Sequence, residues 1–143
     1  MDRPSAILMS IHPRHAKAII NGDKTAEFRR VKPKLKSGDL VVIYETSPIM
    51  AVTSIFSVKQ VLWLPIDKLW GKTKSLAAIS EKEFFDYFAG NTDGCAIIIN
   101  KVWVLDTKKA LSELSSAEKV IKPPQSYIYL PYDNLEEIAG SNL

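Results

Sequence analysis

The chain has one cysteine and two histidines among 143 residues, and each shortage argues against a class of function. A single thiol, Cys95, can form neither an internal disulfide nor a cysteine-rich zinc site. Its neighbours Ala96-Ile97-Ile98-Ile99 read as a buried strand rather than the surroundings of a nucleophile. His12 and His15 are too few for a histidine metal site without several carboxylates. There is no GxGxxG or Walker loop, no HExxH and no GxSxG elbow, which argues against dinucleotide, ATP and zinc chemistry. Neither a cofactor nor a metal is therefore expected. No apolar run approaches the roughly 18 residues that a membrane span needs. Met1-Asp2-Arg3-Pro4 lacks the basic-then-apolar layout of a secretory signal. A cytoplasmic location away from membranes is expected.

What is present is ordinary in bulk and uneven in distribution. Hydrophobic residues make up 46% and charged residues 24%, proportions that fit one globular domain with a buried core. The net charge of +3 permits contact with nucleic acid without demanding it. Arg29, Arg30, Lys32, Lys34 and Lys36 crowd one short stretch, whereas Asp133, Glu136 and Glu137 gather late. The basic run is either a solvated loop or a surface that follows phosphates.

Hydrophobic patterning predicts an α+β domain. Ala6 to Ile11 reads as a buried strand. Pro13 suits the first position of a helix whose apolar face is Ala16, Ile19 and Ile20, and Asn21-Gly22 stops it. Lys24 to Arg30 alternates, with Ala26 and Phe28 on one side and Thr25, Glu27 and Arg29 on the other. Leu40 to Tyr44 is a β-branched strand ended by Thr46-Ser47-Pro48. Met50 to Leu64 reads as one bent strand or two joined ones, Pro65 to Trp70 as a short helix, and Cys95 to Leu105 as another long strand. Ser80-Glu81-Lys82-Glu83 predicts a capping box before an aromatic helix that ends near Gly90. Leu111 to Lys119 is weakly helical, Pro123 to Leu130 extended, and Asp133 to Ala139 a final helix. Most strands are joined by turns and so expected to be antiparallel. A small curved or closed barrel with short helices around it fits this order better than a parallel sheet.

The chemistry gathers near the N-terminus. A helix start leaves unpaired N–H groups at the positive end of the macrodipole, and His12 stands there as cap or ligand contact. Glu27 and Arg29 share a strand face, where they form either an ion pair or a ligand contact; a carboxylate accepts from an amine, and a guanidinium forks onto phosphate. Lys24 follows the glycine stop at the strand entrance, where pattern alone expects a surface lysine. Tyr44 and Ser47 offer a ring and a hydroxyl at the end of a central strand. Tyr127 and Tyr129 share a strand face, as either an aromatic platform or edge residues.

Ser10-Ile11-His12-Pro13, the run Gly22-Asp23-Lys24-Thr25-Ala26-Glu27-Phe28-Arg29-Arg30, Gly38-Asp39 with Ile43 to Pro48, Gly94 to Ile98 and Pro123-Pro124-Gln125-Ser126-Tyr127 together resemble an ASCH domain of the PUA-like superfamily. The resemblance implies that residues 1–143 form one such domain, with its core at about 5–130. It also implies a barrel, a cleft beside the first helix, and RNA, single-stranded nucleic acid or a nucleotide-like small molecule as partner. Within that cleft His12, Lys24, Glu27, Arg29, Tyr44, Ser47, Gln125 and Ser126 are the expected ligand contacts, and Arg30, Lys32, Lys34 and Lys36 an outer phosphate track. Some ASCH proteins are similar to amidohydrolases of N4-acetylcytidine that use a lysine, a threonine three residues on and a later glutamate. Lys24 falls on the lysine position, but Glu27 stands in place of the threonine, and Glu81 and Glu83 are loose candidates for the glutamate. The chain thus resembles the branch whose cleft binds more than the branch whose cleft cuts. If it were an enzyme, Lys24 and Glu27 would be its acid–base pair. The aromatic helix Phe84 to Phe88 could alternatively dock a partner protein.

Overall fold

The computed structural model describes residues 4–114 and 120–131, with 135 and 138. The elements run β1 (Ala6–Ile11), α1 (Pro13–Ile20), β2 (Ala26–Arg29), β3 (Leu40–Glu45), β4 (Ala51–Pro65), α2 (Ile66–Thr73), α3 (Glu81–Tyr87), β5 (Asp93–Lys109), a 3-10 turn (Leu111–Glu113) and β6 (Tyr127–Leu130). The strands form one sheet in the order β2-β5-β4-β3-β1-β6. Every neighbouring pair is antiparallel except β1 and β3, because α1 and β2 intervene and return the chain in the same direction.

This sheet is curled, and the core shows it. Ile7, Met9 and Ile11 of β1 lie in one cluster with Cys95, Ile97 and Ile99 of β5, together with Val41, Ile43, Phe56 and Val58. In a flat sheet β1 and β5 would be separated by two strands, so a shared core requires the concave side to close on itself. Ala16 and Ile19 of α1 plug that concave side. β2 and β6 remain the two edges among the described residues, so the curved form of the expected barrel is realised and the closed form is not.

Alternation assigns the opposite face. On β3, Leu40, Val42 and Tyr44 join Leu8, Ile55, Leu111 and Leu130 in a second cluster. Phe28, Ala96 and Ile98 meet Leu69, Phe84 and Phe88 in a third, beneath α2 and α3. The aromatic helix therefore fills this core. The Phe84 ring lies 5.1 Å from Phe28 and 4.9 Å from Phe88.

β4 is one strand of 15 residues, with register shifts where it bends. Of the expected helix from Leu111 to Lys119, the described residues form the 3-10 turn Leu111–Glu113, and residues 115–119 lie outside the described residues. Of the expected final helix only Leu135 and Ile138 are described, both helical and buried. The capping box is half formed. Ser80 Oγ accepts from Glu83 N at 3.1 Å, but the Glu83 carboxylate turns away to Arg14. No described helix is long and apolar enough to cross a membrane.

Phe84 is fully buried at the centre of the aromatic cluster. Phe84→Ala should lower stability by about 3–5 kcal/mol, since it removes a large side chain from a site that cannot collapse. Urea denaturation followed by circular dichroism measures this, and a loss under about 1 kcal/mol would show that α3 is only loosely attached.

Candidate functional site

α1 begins where β1 ends, and His12 caps it. Its Nδ1 accepts from Arg14 N at 3.1 Å, and its carbonyl accepts from the N–H groups of His15 and Ala16 at 2.9 and 3.0 Å. Pro13 has no N–H, so the donors of the first turn are engaged locally. Any anion nearby must therefore be met by side chains.

Those side chains come from β2. Glu27 and Arg29 pair with Ile97 and Cys95 across the ladder, which puts them on the concave face beside α1. The guanidinium is held at three points. Arg29 Nη2 donates to Glu27 Oε2 at 2.9 Å and to the Ser10 carbonyl at 2.8 Å, and Nη1 donates to Ser126 Oγ at 3.4 Å. Arg29 Nε is buried without a partner among the described residues, a donor directed away from water.

Lys24 overturns the surface reading, being only 1% exposed. Gly22, at φ +83, turns the chain back under α1, and Lys24 N donates to the Ala18 carbonyl at 3.0 Å. The side chain passes beneath the segment joining α2 to α3. Nζ donates to the Ala77 carbonyl at 2.8 Å and lies 5.0 Å from the Phe28 ring centroid. Burial lowers its pKa, and Glu27 opposes the shift. No local pattern reveals this, because the carbonyl that receives the ammonium lies 53 positions away.

Together these groups line a cleft of about 440 Å³ that also holds His12, His15, Phe28, Glu83 and Tyr87. The sequence did not single out His15 or Tyr87 for this cleft, and it offered Glu83 only as a loose candidate for a catalytic glutamate. His15 could have been found from its place one helical turn beyond His12, on the side of α1 that faces β2. Burial depresses the His15 pKa, Glu27 partly restores it and Lys24 depresses it further, so the imidazole is neutral at neutral pH. At the rim Arg14 grips Glu83 through both guanidinium nitrogens, joining α1 to α3. This pairing holds Glu83 below the usual carboxylate range. Among the described residues the lining contains no serine, threonine or cysteine, and Ser126 Oγ stands at its edge, against Arg29.

Other sequence candidates lie elsewhere. Tyr44 is buried on the opposite face of β3, in the core beneath β6 and Leu111. Ser47 is exposed in the turn after β3, at a cis bond to Pro48. Ser126 reaches the cleft's edge through Arg29, and Gln125 beside it is exposed. Arg30 parts from the lysines. Its Nε donates to the Tyr87 carbonyl at 2.9 Å, and its guanidinium sits 4.1 Å above the Tyr87 ring. Lys32, Lys34 and Lys36 line a separate, shallower cleft of about 520 Å³ with Asp39. Cys95 is buried, and desolvation pushes its thiol up to about 12, so it is inert at neutral pH.

A curled sheet that gathers a helix, a buried lysine and a clasped arginine around one cleft defines a small barrel-like α+β domain with a charged cleft. The ASCH domain family profile matches residues 9–126, and the chain belongs to that family. It is 28% identical over 139 residues to an ASCH domain-containing ribonuclease of Zymomonas mobilis, covering 97% of this chain and 93% of that protein. It also superimposes on the crystal structure of ASCH from Zymomonas mobilis with a TM-score of 0.87 at 26% identity, over 95% of this chain and 94% of that one. A large ribosomal subunit protein uL22 of Ureaplasma parvum is 27% identical over 125 residues, which span 87% of this chain and 39% of that protein.

Because the folded His15 pKa is depressed, the unfolded chain binds the proton more readily between the folded value and about 6.5. The stability contributed by neutral His15 is full above about pH 6.5 and is lost as pH falls through the folded value. His15→Gln should therefore lose less stability than the parent between pH 7 and 5. Urea melts across that range test this, and parallel curves for the two proteins would refute it.

Proposed function

We propose that the chain binds RNA or a nucleotide-like ligand through this cleft. The observation that carries the reading is a buried lysine, Lys24, beside a half-buried Arg29 whose Nε has no partner among the described residues, with Glu27 already bonded to Arg29 and with Glu83 and Asp86 further along the lining. A buried ammonium is unfavourable with only a backbone carbonyl as its hydrogen-bond acceptor, and a ligand oxygen at Lys24 Nζ relieves that cost. A phosphate or carbonyl oxygen meets Lys24 and Arg29 Nε in charge-assisted hydrogen bonds. Glu27 accepts from a base amine, and Tyr87 and Phe28 supply apolar walls. Lys32, Lys34 and Lys36 form the outer phosphate contacts, without Arg30.

Lys24→Met is the direct test. It should leave stability equal or higher, because it removes a desolvated charge of similar volume, while weakening uridine monophosphate binding by roughly tenfold or more. Calorimetric titration in low salt measures the affinity. Binding should also weaken as salt rises. A parent protein that binds neither the mononucleotide nor RNA at millimolar concentration would end this reading.

A second reading, cleavage of the RNA backbone, is favoured by the ribonuclease name of the Zymomonas mobilis relative together with the neutral imidazole of His15 in the cleft. His15 takes the proton of a ribose 2′-hydroxyl, whose oxygen bonds to phosphorus while Lys24 and Arg29 hold the phosphate oxygens. The bond to the 5′-oxygen breaks, and that oxygen takes its proton from the imidazolium. Single-stranded RNA should yield ends bearing 2′,3′-cyclic phosphate, and His15→Gln should slow this by about a hundredfold or more. Intact RNA after prolonged incubation, or equal rates in parent and variant, would count against cleavage.

A further inference from the structure

The cleft does not end at Arg29. Arg29 Nη1 touches Ser126 Oγ at 3.4 Å, and the next residue is Tyr127, at the start of β6. The Tyr127 and Tyr129 rings stand edge to face with centroids 5.9 Å apart. The Tyr129 hydroxyl in turn accepts from Lys34 N at 3.0 Å. Cleft, serine, tyrosine pair and lysine loop thus form a continuous chain of contacts along the open seam of the sheet.

Each part suits a different piece of a single strand of RNA. Tyr129 is 51% exposed although it lies on an ordered strand, and its hydroxyl is fixed to the backbone of the lysine loop, so its ring is held open in one orientation. Bases stack on such rings with little regard to sequence. Beyond it, Lys32, Lys34 and Lys36 border the second cleft. The single acid there, Asp39, is occupied by two backbone donors, Ser5 N at 3.0 Å and Lys36 N at 2.8 Å. Among the described residues no carboxylate pairs with the Lys32, Lys34 or Lys36 ammonium.

We propose that Tyr129, backed by Tyr127, is a base-stacking step that carries a single-stranded RNA from the Lys24–Arg29 cleft to the phosphate contacts at Lys32, Lys34 and Lys36. This rests on the RNA-binding reading of the cleft. It adds a second nucleotide site, and it makes single-stranded RNA the ligand rather than a free nucleotide.

Two probes separate the sites: uridine monophosphate for the cleft, and a fluorescent eight-residue oligouridylate with 2′-O-methyl groups, which cannot be cut through the 2′-hydroxyl, for the whole path. Tyr129→Ala should weaken the oligomer about tenfold, in the range seen when one stacked base is lost. Its affinity for uridine monophosphate should match the parent, which also confirms that the variant is folded. The Lys34→Ala, Lys36→Ala double variant should make the dependence of log affinity on log salt shallower by about 0.7 per lost contact. An oligomer that binds no tighter than the mononucleotide, or binds Tyr129→Ala as well as the parent, would overturn the stacking step and leave the cleft standing. Failure of both probes to bind the parent would overturn the cleft reading and this one together.

Discussion

The sheet curls far enough for β1 to share a core with β5, yet its edge strands do not pair among the described residues, and the Arg29 guanidinium holds that seam. It bonds Glu27 on its own strand, the Ser10 carbonyl on β1 and the Ser126 hydroxyl just before β6. A lysine would replace it poorly, because its donors radiate from one nitrogen, whereas the guanidinium reaches Ser126 through Nη1 and Ser10 and Glu27 through Nη2. Ser10 reinforces the same corner, with its N–H donating to the Ser126 carbonyl at 3.0 Å and its hydroxyl to the Pro124 carbonyl at 2.6 Å. The opening that remains beside this clasp is the cleft, so the group that closes the fold also forms a wall of the site.

Lys24 illustrates the opposing demand. A buried ammonium with one carbonyl partner and an aromatic neighbour is a poor way to stabilise a domain, since desolvation of the charge outweighs what those contacts return. Its cover includes Ala78, which stands at φ 52 next to the carbonyl that Lys24 meets, a conformation that also costs about 1 kcal/mol or more in a residue with a Cβ. These unfavourable local choices converge on one cleft, where local rules of folding are broken together. By contrast the rim pair of Arg14 and Glu83 is largely exposed. Such pairs contribute under about 1 kcal/mol, so this one positions α1 against α3 rather than supporting the fold.

Much of the architecture was legible because it depends on local periodicity. The alternation from Ala26 to Arg29 separated the aromatic core under α2 and α3 from the concave face, and the structure keeps that division. Pro13, Gly22 and Ser80 marked the helix ends they occupy. The capping box failed in part because Glu83 found a cation on another helix, a partner that no four-residue window contains.

By itself the sequence determined the strands and helices, the apolar faces, and the placing of Glu27 beside Arg29, since all of these follow from side-chain alternation and chain stiffness within a few residues. Only the tertiary structure decided which polar groups meet. Lys24 is buried by a carbonyl 53 positions away, and Arg30 leaves the lysine run for one 57 away. Arg29 clasps a serine 97 away, and Tyr44 goes to the far core because β3 alternates against the curl. Burial and charge pairing depend on what the curled sheet brings together, and that closure is a property of the whole chain.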